Sequence, residues 1–102
     1  MVVLRAARDD GRRAAEVLDD GGKNPGIDFE DELEEVLHRI SEMPRLYSPA
    51  EDGPEDRECR EYYIERFQYR VIYLIQDETI HVPAVVYATR TPGSWRRRLD
   101  DA

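Results

Sequence analysis

The chain has 102 residues, 40% hydrophobic and 37% charged, and its 23 acidic and 15 basic side chains give a formal net charge of −8. This length predicts a single domain, residues 1–102, with one core and no need of a stabilising metal or disulfide. Cys59 is the only cysteine and His38 and His81 lie far apart, so an intrachain disulfide and a zinc-spaced Cys/His set are excluded, and no metal or cofactor is expected. No stretch approaches the roughly 18 apolar residues of a membrane span, and the opening Met1–Arg5 is too short an apolar run for a signal peptide. A cytoplasmic protein without membrane contact is the expectation.

In chain order, Val2-Val3-Leu4 is apolar enough for a short strand. Ala7, Gly11, Ala14, Ala15 and Leu18 then recur at helical spacing, which predicts a thin helix from about Arg8 to Asp19, weakened by Gly11. Gly21 to Gly26 is turn chemistry throughout, and so short a connection makes the flanking helices an antiparallel hairpin. The second helix, Ile27 to Met43, carries Phe29, Leu33, Val36, Leu37 and Ile40 on one face. Asp28 is its predicted cap, acidic residues fill its first turn, His38 and Arg39 sit near its end, and Pro44 stops it.

A polar loop, Ser48 to Asp56, leads to aromatic and β-branched chemistry. Three strands are expected: Arg57 to Glu65, Gln68 to Gln76, and Thr79 to Thr89, with Asp77-Glu78 as a tight hairpin between the last two. On the third, strict alternation puts Ile80, Val82, Ala84, Val86 and Ala88 on one face and His81, Pro83, Val85 and Tyr87 on the other; Pro83 marks an edge or a bulge. A helical hairpin followed by a meander buries its apolar faces in one simple way. The predicted fold is α+β and two-layered, with the N-terminal antiparallel helical hairpin packed on one face of a small, mainly antiparallel sheet. The other sheet face is left open.

Charge divides unevenly along the chain. Residues 1–56 hold 16 acids and seven bases, whereas residues 57–102 hold seven acids and eight arginines. An acidic helical layer and an arginine-bearing sheet follow.

The order of these pieces resembles the RelE/ParE superfamily of type II toxin–antitoxin toxins, over almost the whole chain. The similar phrases are Ile40 to Tyr47 at the end of the hairpin, an arginine-bearing strand with Arg57 or Arg60, Arg66 to Tyr73, and a close formed by Ile80 to Val86, Tyr87, Arg90, Pro92, Trp95 and Arg98. The resemblance implies a plasmid-stabilisation type of toxin from a bacterium or archaeon, neutralised by a cognate antitoxin. RelE-type members cleave mRNA on the ribosome and ParE-type members poison DNA gyrase. The short first strand, long hairpin and Arg-x-Pro-x-x-Trp ending look closer to the ParE-like branch.

Metal-free RNA cleavage requires a base, an acid and cations at the phosphorus centre. Arginine suits the last task, because its planar fork holds phosphate bidentately and stays charged. Arg60, Arg70 and Arg90 come from three successive strands and are expected to converge on the open face as the candidate catalytic set, provided that no one-residue register shift turns one of them to the helix side. Tyr87 stands where the family often has histidine; with a reference pKa of about 10 it is a poor base at neutral pH. The bland readings compete throughout: an exposed arginine is ordinarily solvated or salt-bridged, Trp95 packs a sheet edge more often than it stacks on a base, and Arg96-Arg97-Arg98 reads as a solvated run. His38 is expected to meet the helix dipole or solvent, His81 is the sheet's only imidazole, and Cys59 reads as a small strand residue without a specified histidine partner.

Three functions in different classes follow. One is a metal-independent mRNA interferase, whose target is the ribosome and its mRNA. The second is a gyrase-directed inhibitor with no reaction of its own. The third is a non-toxic homologue that acts only as a protein-interaction module. Tyr87 in place of histidine and the absence of lysine from the strands favour the last two. In a toxin, the antitoxin is expected to lay an extended or helical segment over the sheet face, with acids against the arginines.

Overall fold

A computed structural model describes residues 1–19 and 25–101; the expected turn at 21–24 lies outside them. The elements are β1 (Val2–Val3), α1 (Arg5–Asp19), α2 (Pro25–Glu42), β2 (Glu58–Ile64), β3 (Tyr69–Gln76), β4 (Thr79–Tyr87) and a closing 3-10 turn (Arg96–Asp101). The sheet has the order β1-β4-β3-β2, with β1 parallel to β4 and the other pairs antiparallel. The α+β class and the helical hairpin on one sheet face stand as expected.

The first helix begins three residues earlier than predicted. Gly11, in its interior, is buried where a Cβ would lie 2.9 Å from Leu33 Cδ2, so the residue that lowers helix propensity also lets α1 and α2 approach. The second helix begins at Pro25, two residues ahead of expectation, with a proline whose missing N–H costs nothing in the first turn. The cap is also different: Asp19, at the end of α1, accepts from Gly26 N–H at 2.8 Å. Asp28, within the first turn, instead faces Arg66 at 3.2 Å.

Between helices and sheet lies the main core. Phe29, Val36 and Ile40 meet Ile64, Val71, Tyr73 and Val82, each fully buried apolar side chain contributing about 1.5–3 kcal/mol. Phe29 packs edge-on against Phe67 (centroids 5.3 Å apart) and at 5.1 Å against Tyr69. The buried Tyr73 hydroxyl donates to Pro44 O at 2.6 Å, and burial pushes its pKa up to about 12.

Pro83 does mark a bulge. Leu74 pairs with His81 and Ile72 with Ala84, so Val82 and Pro83 together stand opposite Tyr73. The extra residue reverses the pleat, and the single-face assignment made from strict alternation fails. Ile80 and Val82 point to the helices, as do Val85 and Tyr87 beyond the bulge, while Ala84 and Val86 point away. The Asp77-Glu78 hairpin forms as expected, with both residues in the left-handed region (φ 52° and 63°).

The second sheet face is closed rather than open. Trp95 and Leu99, from the chain's last segment, pack with Ala50 on Cys59, Ile72, Leu74, Ala84 and Val86 in a second core. In its middle this face is apolar where the sequence reading placed an arginine-lined surface, with Arg70 and Glu61 only toward one end, and β3 is buried on both sides for that reason.

The outer edge of β4 is finished by side chains. β1 covers only His81 and Val82, after which Leu4 N–H donates to Val82 O. Beyond that point Asp10, buried on α1, accepts from Val85 N–H at 3.0 Å, and Arg98 Nη1 donates to Pro83 O at 3.2 Å. The two side chains bind each other at 2.6 Å. An ion pair therefore occupies the ladder positions that a longer β1 would fill.

Candidate functional site

The candidate arginines part company in the register. On β2, Arg60 stands opposite Tyr73, one step from Cys59, whose partner is Leu74. Tyr73 belongs to the helix-side core and Leu74 to the second core, so the pleat turns Arg60 toward the helix side. There its Nε donates to Glu58 Oε2 at 3.0 Å and its Nη1 to Tyr47 O at 2.6 Å. Arg70, opposite Val86, points to the other face. The expected convergence of Arg60, Arg70 and Arg90 on one face is thus corrected: Arg60 is not part of it.

Arg70 and Arg90 share a groove of roughly 550 Å³ at the end of the second face, together with Glu51, Asp52 and Glu61. Arg70 is deeply held. Its guanidinium binds Asp52 through two hydrogen bonds, at 2.6 and 3.1 Å, and Glu61 through two more, at 3.0 and 3.3 Å. The hydrogen bonds it donates to Asp52, opposed by burial and aided by Glu61, raise its pKa still further. Arg90 is exposed and has no ion pair among the described residues.

Asp52, which sequence reading passed over as a loop residue, organises this end of the molecule. Beyond Arg70, its Oδ2 accepts from Gly93 N–H at 2.8 Å and from Trp95 Nε1–H at 2.9 Å, and its carbonyl accepts from Arg96. Burial opposes the charge, but the Arg70, Gly93 and Trp95 donors outweigh it and hold the carboxyl well below the usual carboxylate range. Nothing in the sequence marks Asp52 among its acidic neighbours, because its donors lie 18 to 44 residues away.

Tyr87 stands opposite Tyr69 on the helix side of the sheet, with ring centroids 5.2 Å apart, so it does not face Arg70. Its hydroxyl lies 3.5 Å from Gln68 Oε1. Among the described residues Arg90 alone borders both the Arg70 groove and the smaller hollow beside Tyr87.

The remaining candidates have structural duties. Trp95 is buried as a packing residue, and Arg98 is engaged with Asp10 rather than solvated. His38 pairs with Glu42 across one helical turn at 3.1 Å. Cys59 is buried in the second core, where burial pushes its thiol up and away from nucleophilic use. His81 is half-buried between Val2 and Leu74 in the register, outside both hollows, with Nδ1 lacking a partner among the described residues.

A phosphate entering the groove would have to displace two carboxylates from Arg70, and three acids there face two guanidiniums. The arrangement is a charge-compensated recess with one free cation, Arg90, at its rim among the described residues.

The helical pair on one sheet face and the arginine groove at the sheet's end define a small two-layer α+β domain. Residues 2–92 match the family described as ParE toxin of type II toxin-antitoxin system, parDE. The chain belongs to this family, and membership implies an antitoxin as its partner. No curated protein and no solved structure matches it. Among the described residues no helix is long and apolar enough to cross a membrane.

Proposed function

We propose that this chain, acting as a single cytoplasmic domain, is the toxin of a type II pair and works by binding a protein target, DNA gyrase, without a reaction of its own. The observation that carries this reading is the separation of Arg60 from Arg70 on opposite sheet faces, the first held by Glu58 and the second by Asp52 and Glu61. Stabilising charge on a cleaving phosphodiester needs cations that converge and are free to take the anion. Tyr87, on the side away from Arg70, supplies no base to such a centre. The net charge of −8 further slows approach to a ribosome, whereas a protein target can present a compatible patch.

Arg90 is the residue to which a target-binding role falls, since it is exposed and uncommitted among the described residues. The test is induction of the chain from a tight promoter in a bacterial host, following labelled thymidine and labelled amino acids together, with purified gyrase and ribosomes assayed in parallel. Early loss of thymidine incorporation and inhibited supercoiling, with intact mRNA, is the expected result. Early loss of amino-acid incorporation with cleaved mRNA would reverse the reading in favour of the interferase.

A further inference from the structure

The hollow beside Tyr87 differs in charge from the other recesses of this surface. One wall is a stripe of α1 that includes Asp10, Arg13 and Val17 at helical spacing; the other is the end of the sheet, with Tyr69 and Tyr87, and Arg90 follows from the turn after β4. Four other grooves on the described surface are lined by more acids than bases. Here Asp10 is the one acid among the lining residues, against Arg13 and Arg90.

Asp10 is already engaged elsewhere. Its carboxylate, 7% exposed, accepts two hydrogen bonds from Arg98, at 2.6 and 3.3 Å, and one from Val85 N–H at 3.0 Å. Arg13 adds a single bond, Nη2 to Oδ1 at 3.2 Å, and its side chain stays 64% exposed. Arg13, Arg90 and Arg98 thus bring three positive charges to this place against the one negative charge of Asp10. In a chain of net charge −8 the field is locally reversed.

Apolar surface lies beside the charge. Val17 is 64% and Tyr87 43% exposed, among the large apolar side chains that the fold leaves to solvent. Tyr69, packed against Tyr87 at 5.2 Å between centroids, holds the exposed ring in place. At roughly 200 Å³ the hollow is smaller than a small-molecule site, which spans about 300–1,000 Å³. It has room for a side chain rather than for a free ligand or a nucleotide, and the surrounding acids repel a polyanion more strongly than a single carboxylate.

We propose that the hollow between α1 and the end of β4 is a docking site for an acidic segment of a protein partner, an aliphatic or aromatic side chain flanked by glutamate or aspartate. The apolar side chain lies against Val17 and Tyr87, and the carboxylates meet Arg90 and Arg13. Arg90 contributes most, because it has no ion pair among the described residues to give up. The proposal rests on the reading above in one respect, that Arg90 binds a protein.

The test uses the full chain, isotope-labelled, titrated with the synthetic peptides Glu-Glu-Leu-Phe-Glu-Glu and Lys-Lys-Leu-Phe-Lys-Lys and followed by amide chemical shifts. Net charge alone favours the lysine peptide. The proposal requires the opposite order, the acidic peptide binding at least about tenfold more tightly and shifting the amides of Val17 and Tyr87. Arg90→Glu and Val17→Glu, both at exposed positions, should each weaken it about tenfold or more with the β2–β3 amides unmoved. Arg97→Glu makes the same change of net charge at an exposed residue outside the hollow and should leave binding as it was. Tighter binding of the lysine peptide, no binding of either, equal weakening by Arg97→Glu, or unchanged affinity in both hollow variants would overturn the proposal. So would a hexanucleotide of single-stranded RNA that binds more tightly at the same amides, or a dimer that Arg90→Glu dissociates. Neither peptide titration involves gyrase: peptide binding lost while gyrase is still inhibited counts against this site alone, and peptide binding retained without gyrase inhibition counts against that target alone.

Discussion

Asp52 Oδ1 lies 2.6 Å from Arg70 Nη2, joining a loop residue to the middle of the sheet across 18 positions of sequence. The pair is nearly buried, with side-chain exposures of 11% and 14%, and Asp52 also holds Gly93 and Trp95. Asp52→Asn should destabilise the protein by about 3 kcal/mol, since it leaves Arg70 with a single charged partner in a poorly hydrated place. The pH dependence has a definite sign. A carboxyl whose folded pKa is depressed contributes its stability in full above its unfolded value, near 4, and loses it as pH falls below that toward the folded value. Urea midpoints measured from about pH 6 down to about pH 2.5 should therefore fall more steeply for the native chain than for Asp52→Asn.

Arg70→Ala and Arg90→Ala should separate structure from function. The first strands Asp52 and Glu61 and should cost about 3 kcal/mol or more, lowering soluble protein. The second removes an exposed side chain without an ion pair among the described residues and should shift stability by no more than about 0.5 kcal/mol. Growth arrest that weakens in Arg90→Ala at unchanged protein level would assign target binding to that residue, and arrest that persists undiminished would remove it from the site.

Gly26→Ala tests the hairpin. A Cβ at Gly26 would collide with the Ala15 carbonyl and crowd the Asp19 carboxylate that caps the helix. The expected loss is about 1–3 kcal/mol. Gly11→Ala meets only the Leu33 methyl, which can rotate, and should cost less. Thermal unfolding followed by circular dichroism ranks the two.

Trp95→Ala should cost about 3–5 kcal/mol and uncover Ile72, Leu74 and Val86 to solvent. A rise in binding of a hydrophobic dye at temperatures where α2 is still helical would show that the second core opens before the first.

What sequence alone disclosed follows the range of the forces involved. The spacing of Phe29, Leu33, Val36 and Ile40 and the turn at Asp77-Glu78 are local signals, and the helices and hairpin came out where those signals lie. The start of α2 moved because its cap is Asp19, a residue of the preceding helix. The bulge was readable in Pro83, but its consequence for every later residue of β4 depends on the partner strand and so was not. The site was least legible of all. Arg60 and Arg70 look alike in sequence, and only the register shows that they lie on opposite faces, Arg60 held by Glu58 two residues before it and Arg70 by the more distant Asp52 and Glu61.

The ion pair between Asp10 and Arg98 spans 88 positions, nearly the length of the chain. The edge of β4 is complete only when the last turn has come round to meet the first helix, so the final native contacts are also the most distant in sequence. Such contacts form late and slow the search. During synthesis, then, the helical hairpin and the β2–β3 pairing can form while the β4 edge and the second core wait for the C-terminal residues. That edge and that core are finished only after Trp95, Arg98 and Leu99 have emerged from the ribosome.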